Sequence, residues 1–359
     1  MSTILRHVLC SLVLSCFFAL IAGGCTVKQL QPDSSSALSG QDTNLVWPSP
    51  PETPRIRYLG SISAFRASKG KQTWFSRTLG SLFGEEKEEG YLLRPYGIFV
   101  DSNRIYVTDP GLQTLHVFDN TGQQYLQIRG AGDQRFLSPI GVSVDSNGDI
   151  YLSDSALRKV FVFNREGSLI REIGSPEILM RPSGIVLADD KVYVVDTHGH
   201  NVSVFSKKDG NLLFRFGQDG TAPGDFHFPT NIFHAGDGLL YITDSMNFRV
   251  QVFDRSGTVQ TAFGKPGDGA GDFSKPKGIA VDSEGHIYVA DAHFDAVQIF
   301  DRNGRLLLAF GSSGSGNGQM ILPAGLFIDP EDRIYVTDSY NKRIQVFQYL
   351  GEAGNRIEE

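Results

Sequence analysis

From Pro95 onward the apolar residues fall into short runs separated by turn residues, four runs to a unit, and the unit recurs six times. Each unit opens on a proline: Pro95, Pro139, Pro182, Pro229, Pro276 and Pro323, spaced 44, 43, 47, 47 and 47. The fifth copy reads Pro276-Lys277-Gly278-Ile279-Ala280-Val281-Asp282, then Ile287-Tyr288-Val289-Ala290-Asp291, then Val297-Gln298-Ile299-Phe300. An Asp and a Phe stand nine apart in every copy: Asp109/Phe118, Asp154/Phe163, Asp196/Phe205, Asp244/Phe253, Asp291/Phe300 and Asp338/Phe347. Four short β-rich runs per unit predict a propeller blade. The second run is apolar at successive positions, so both its faces are greasy, as a sheet packed between two neighbouring sheets requires. Turns such as Asp254-Arg255-Ser256-Gly257 and Asp301-Arg302-Asn303-Gly304 place a Gly where a bulged hairpin needs a positive φ.

The sixth unit lacks a fourth run, because only 12 residues follow Phe347. At the other end, Arg55-Ile56-Arg57-Tyr58-Leu59-Gly60-Ser61-Ile62 is β-prone and belongs to no unit. The expected fold is therefore all-β: six blades over residues 54–350, with the N-terminal strand completing blade six and removing an open edge. Residues 351–359 form a tail. Between strand and first blade, about residues 70–90, Trp74, Phe75, Leu79, Leu82 and Phe83 fit one helical face, followed by Glu85-Glu86-Lys87-Glu88-Glu89. That helix either packs on the propeller edge or touches a partner; its acidic flank disfavours anionic lipid.

The units resemble the NHL repeat, P-x-G-I-x-V-D, I-Y-V-x-D and N-x-R-I-Q-V-F, over Pro95 to Phe347. The resemblance is fullest in Asp244-Ser245-Met246-Asn247-Phe248-Arg249-Val250-Gln251-Val252-Phe253 and in Asp338-Ser339-Tyr340-Asn341-Lys342-Arg343-Ile344-Gln345-Val346-Phe347. It implies a six-bladed propeller. Asn231 replaces the Gly of P-x-G, and the Asn/Arg pair is confined to the fourth and sixth copies. WD and Kelch repeats fit poorly, since Trp47 and Trp74 lie outside the six units and the Gly-Gly pair is Gly23-Gly24.

Residues 1–24 read as a signal peptide, with Arg6 ahead of an apolar run from Val8 to Ala22 that is too short for an ordinary membrane span. The run closes on Ile21-Ala22-Gly23-Gly24-Cys25, which resembles a bacterial lipobox, so lipidation is expected at Cys25. An uncleaved anchor or an ordinary secretory signal is the alternative. Cys10 and Cys16 lie inside the run, which would leave no thiol pair in the mature chain. Residues 25–53, with Ser34-Ser35-Ser36 and Pro48-Ser49-Pro50-Pro51, read as a flexible tether. The implied location is the cell envelope, attached to membrane through the N-terminal lipid. Thr26, rather than Asp, after the cysteine resembles outer-membrane sorting in Gram-negative bacteria.

Charge then narrows the chemistry. Lys and Arg total 33 against 40 Asp and Glu, a net of −7, and loss of Arg6 on cleavage would make it −8. No nucleic-acid partner is expected from that balance. No nucleophile elbow, haem-attachment motif or H-E-x-x-H zinc motif occurs. Propeller lyases of the peptidyl-α-hydroxyglycine type hold zinc with three His, but no His follows the opening prolines here, and His227 is expected to stand alone. The reading assigns no catalytic residue, cofactor or metal site, leaving a metal-assisted lyase or lactonase as the alternative. The six repeated Asp are expected to accept N–H bonds from the loops that follow them. In a propeller those loops share one face with the loops between blades. In blades three to six they carry His198, His200, Met246, Phe248, His293, Phe294 and Tyr340, whereas blades one and two carry Pro110-Gly111-Leu112 and Ser155-Ala156-Leu157. Exposed aromatic and Met side chains mark interfaces. The expected partner is an envelope protein, peptide or glycan, with the histidines tuning the contact by pH.

Overall fold

The second and third runs of each unit are buried on both faces while outermost runs such as Leu212–Phe216 and Leu306–Phe310 alternate, and this produces the predicted blades. In the computed structural model, which describes residues 38–42, 44–64, 90–119 and 125–351, every unit forms an antiparallel sheet. Blade one comprises Ile98–Val100, Arg104–Asp109, Thr114–Asp119 and Tyr125–Ile128. Blade four comprises Pro229–His234, Leu240–Asp244, Arg249–Phe253 and Val259–Phe263. The first strand of each blade touches the first strands of the next, and Pro323–Ile328 of blade six meets Ile98–Val100 of blade one, so the ring closes. The second-strand tyrosines Tyr106, Tyr151, Tyr193 and Tyr288 are fully buried between blades. Several pass their hydroxyl to a carboxylate at the end of the same hairpin, as Tyr288 does to Asp282 at 3.0 Å and Tyr335 to Asp329 at 3.1 Å. A buried hydroxyl with a partner costs little, and the ring contributes its full apolar area.

Neighbouring blades are stitched by the hydroxyl residue that precedes the repeated Asp. Thr108 donates to the Ile140 carbonyl at 2.7 Å, Ser153 to Ser183 at 2.5 Å, Thr243 to Lys277 at 2.7 Å and Thr337 to Tyr96 at 2.8 Å. The blades can approach this closely because the third residue of the opening phrase is Gly. A Cβ on Gly97 would stand 2.1 Å from the Ile140 carbonyl oxygen, and one on Gly325 would stand 2.1 Å from that of Tyr96.

The N-terminal strand closes blade six as expected. Ile56–Ile62 pairs antiparallel with Arg343–Tyr349, and Ile56, Tyr58 and Ile62 are buried. The tether is shorter than the sequence suggested. Val46–Trp47 adds a fifth strand outside Ile56–Ile62, and Ser39 bridges Ser61. Trp47 packs its ring 5.9 Å from Phe310 and 5.8 Å from Phe347, beside the partly buried Leu45. An indole and a leucine in an otherwise polar stretch gain more by covering the blade edge than by remaining in water. Ser39 and Leu45–Trp47, inside the expected tether of 25–53, therefore pack on blade six. The signal segment, Cys25, the expected helix at about 70–90 and residues 352–359 lie outside the described residues.

Candidate functional site: the loop face and its lead-in loops

The six repeated Asp are almost wholly buried, and the fold saturates them. In each blade the amide two residues before the opening Pro donates to the carboxylate. The donors are Leu93, Leu137, Met180, His227, Ser274 and Ile321, at 2.6 to 2.8 Å. The following loop donates as well, as Ala156 and Leu157 do to Asp154 at 3.0 Å. These carboxylates hold loops together and are not free for catalysis.

The residue four after each Asp takes a left-handed backbone: Gln113, Arg158, His200, Phe248, Asp295 and Lys342 all have φ between 50° and 60°. The turn is thus a property of the repeat, and neither His200 nor Phe248 is strained for a local purpose.

Blades four and six depart from the others in a correlated way. Arg249 and Asn247 bond Asp244, and Arg343 and Asn341 bond Asp338, all at 2.8 Å. With the second carboxylate oxygen taken, the amide just before the opening Pro turns away. Phe228 and Leu322 become left-handed and bond the preceding blade instead, Phe228 to His200 Nδ1 at 3.4 Å and Leu322 to Asp295 at 2.8 Å. In blades one, two, three and five that amide stays on the repeated Asp.

The lead-in loops to blades four, five and six follow one plan. A buried Gln seven after the repeated Asp accepts from the loop and donates back to it. Gln251 holds Gly224 N–H and the Asp225 carbonyl, Gln298 holds Gly271 and Asp272, and Gln345 holds Gly318 and Gln319. Each loop is crossed by a short parallel pairing: Asp219 with Phe226, Pro266 with Phe273, Ser313 with Met320. Phe226, Phe273 and Met320 are fully buried.

On this plan the first loop gathers a polar cluster. His227 Nδ1 lies 2.9 Å and His200 Nδ1 3.1 Å from the same Asp219 Oδ1. The hydrogen bond with His227 holds the Asp219 carboxyl below its ordinary range. Phe228 stands edge-on among three imidazoles, 4.7 Å from His200, 4.9 Å from His227 and 5.5 Å from His198. Burial and the Arg181 guanidinium, 3.2 Å away, keep His198 below the usual imidazole value. The expectation that His227 stands alone is therefore corrected. Its partners are Asp219, 8 residues upstream on the same loop, and His200, 27 residues upstream on the loop after Asp196.

The remaining expected residues divide by location. Met246 is exposed beside the cluster, its amide on the His227 carbonyl at 3.0 Å. Tyr340 is exposed at the border of blades six and one, with the Arg94 guanidinium 5.7 Å over its ring. His293 is exposed and bonds Ser274 at 3.2 Å. Phe294 is half-buried, and Phe248 turns inward against the cluster containing Phe273 and Phe300. Apolar exposure is wider than expected. Tyr91, Leu137 and Met180, in the lead-ins to blades one, two and three, are 49–55% exposed, as much as Met246 at 50%. The loop residues after Asp109 and Asp154 are bland, but their neighbours just before Pro95 and Pro139 are not.

Beside the loops runs a channel of about 220 Å³, lined by the innermost strands of all six blades. Phe99, Phe233 and Phe327 narrow it, with Phe327 4.9 Å from Phe99 and 6.3 Å from Phe233. Asn231, at the glycine position of blade four, and His234 each present a buried nitrogen with no hydrogen-bond partner among the described residues. Burial holds His234 below its ordinary value.

Family models describe the same architecture. A model described as a 6-bladed beta-propeller matches residues 86–180 and 233–297, and the NHL repeat model matches residues 179–205 and 321–347. The chain is a six-bladed β-propeller in which two stretches match the NHL repeat. Among curated proteins, the chain is 30% identical over 135 residues to Protein brain tumor of Drosophila melanogaster, covering 36% of this chain and 13% of that protein. It is 27% identical over 164 residues to a probable peptidyl-alpha-hydroxyglycine alpha-amidating lyase of Caenorhabditis elegans, covering 41% and 43%. The chain thus spans less than half the length of these relatives. Among solved structures, a streptogramin B lyase superposes with TM-score 0.55 at 15% identity, over 72% of this chain and 94% of that one. An auxiliary nutrient binding protein of Bacteroides ovatus superposes with TM-score 0.57 at 15% identity, over 72% and 70%. At such identities the superpositions establish the propeller fold and nothing finer.

Proposed function

We propose that the protein is an extracytoplasmic binding module, held to the cell envelope by a lipid on Cys25, that docks a protein, peptide or glycan on its loop face. The observation that carries this reading is the set of half-exposed large apolar side chains on that face: Tyr91, Leu137, Met180, Met246 and Tyr340. Side chains of this kind left in water favour association, and interfaces are enriched in Tyr and Met. The saturated Asp ring supports a non-enzymatic role, because the repeat's own carboxylates are engaged by backbone amides. A second reading, a metal-assisted lyase, is favoured by His200, Asp219 and His227 and by the lyases among the similar proteins.

Cross-linking in intact envelopes tests the docking reading. The parent chain should enrich a partner that Met180→Ala/Met246→Ala/Tyr340→Ala loses while keeping its thermal unfolding transition, and Cys25→Ala should move to the soluble fraction. Equal enrichment by parent and triple variant would place docking off this face, and a Cys25→Ala chain still in the membrane pellet would remove the lipid anchor.

A further inference from the structure

The three lead-in loops to blades four, five and six provide an internal control. They share the buried Gln, the parallel crossing and the buried residue at its end, so equivalent positions can be read directly. Asp219 corresponds to Pro266 and Ser313, since each pairs with the residue at the crossing. His227 corresponds to Ser274 and Ile321, since each donates its amide to the repeated Asp. His200 corresponds to Phe248 and Asp295, the left-handed residues four after the repeated Asp of the preceding blade. The same loop therefore forms on Phe248, Pro266 and Ser274, and again on Asp295, Ser313 and Ile321. The fold does not require two imidazoles and a carboxylate at these places, yet one loop of the three assembles them.

Stability gives no reason for the cluster either. Asp219 is largely exposed and would be solvated without a partner, and exposed pairs of this kind contribute little. What the cluster offers is convergence. One donor atom from each of His200, Asp219 and His227 lies within 4.8 Å of the other two. The two Nδ1-to-Oδ1 separations, 2.9 and 3.1 Å, are near the spacing of about 3.3 Å that adjacent ligands adopt around zinc at Zn–N and Zn–O lengths of roughly 2.0–2.2 Å. Phe228 packs edge-on against both imidazoles, which are themselves 5.4 Å apart, and the three rings limit one another's rotation. In blade six the equivalent Leu322 has no imidazole beside it, because Asp295 and Ile321 take those positions.

We infer that His200, Asp219 and His227 form a divalent-metal site, suited to zinc, on the loop face between blades three and four. Two nitrogens and one carboxylate oxygen are borderline ligands that suit zinc better than calcium or magnesium. Three protein ligands leave a coordination position open for water or for a donor atom of a docked molecule. To receive the metal, His200 Nδ1 gives up the long 3.4 Å bond from the Phe228 amide, and the metal takes the place of the proton in the hydrogen bond between His227 Nδ1 and Asp219. The site does not depend on the docking reading above, and its test is separate.

The full chain, stripped with chelator, is titrated with zinc chloride by calorimetry, with thermal unfolding followed in parallel. One zinc per chain should bind and raise the unfolding temperature. His227→Ser, which installs the residue blade five carries at the equivalent position, and Asp219→Asn should each weaken zinc binding at least tenfold with the unfolding temperature of the metal-free chain unchanged. His293→Ala should bind like the parent. The site is overturned if the parent takes up no stoichiometric zinc, if His227→Ser and Asp219→Asn both keep parent affinity, or if His293→Ala loses as much as they do.

Discussion

The loops that lead into blades two and three and those that lead into blades four, five and six solve the same problem differently. The second group is anchored by Gln251, Gln298 and Gln345, each buried and bonded at both ends of its amide. The corresponding residue of blade one is His116, of blade two Phe161 and of blade three Ser203, and among the described residues neither Phe161 nor Ser203 staples its lead-in loop in that manner. The difference is visible as spacing: the three 47-residue intervals end in stapled loops, and the 44- and 43-residue intervals do not. A staple fixes the backbone, and once the backbone is fixed its outward positions can vary. Loop four uses that freedom for His227 and Asp219, while loops five and six carry Ser274 and Pro266, and Ile321 and Ser313. Residues that recur with the repeat hold the fold; residues that break it are where function is to be sought.

The largest expected effect concerns the closure that both kinds of loop depend on. A chain beginning at Ser63 loses Ile56, Tyr58 and Ile62 from blade six, each worth roughly 1.5–3 kcal/mol of burial, and opens a strand edge. It should lose its cooperative unfolding transition and aggregate on size-exclusion chromatography. A monomer with the parent transition would show that the ring closes without this strand.

A smaller effect is expected where blade one replaces the staple with His116. This imidazole is buried, its Nδ1 2.7 Å from the Tyr125 hydroxyl, and burial pushes its pKa down to about 4 against an opposing pull from Asp109. A histidine held neutral in the folded chain but free to protonate when unfolded makes the unfolded state bind more protons between pH 6.5 and about 4. Stability should therefore be full above pH 6.5 and fall as the pH drops through that window, by on the order of 2–3 kcal/mol. His116→Phe should flatten this part of the stability profile measured by denaturant titration. A parent profile already flat from pH 7 to 4 would mean that His116 protonates in place.

The fold was largely legible in the sequence because its signals are periodic. The Asp-to-Phe interval gave six blades, and the absent fourth run of blade six pointed to Ile56–Ile62. The buried role of the repeated Asp followed from their recurrence. What escaped is not periodic. Trp47 and Leu45 sit among prolines and polar residues, so their blade contact left no pattern. Phe248 looked like a surface aromatic, but the turn that makes it left-handed also aims its ring at Phe273. The His200, Asp219 and His227 cluster depends on a loop whose path is set by Gln251, 24 residues beyond His227 in the chain. His200 and His227 were each visible; Asp219, and the convergence of the three, were not. The correlation of the left-handed Phe228 and Leu322 with Arg249 and Arg343 was present in the repeats, but it takes the carboxylate geometry to show why it exists.

The division between repeat-encoded structure and symmetry-breaking function is tested most directly by unfolding two variants of one loop side by side. Gln251→Ala leaves Gly224 N–H and the Asp225 carbonyl without their partner and should cost about 2 kcal/mol. His227→Ser, one of the same loop's outward residues, should leave metal-free stability within about 0.5 kcal/mol of the parent. Equal destabilisation by the two substitutions would contradict the account, since His227 would then be serving the fold as the repeat residues do.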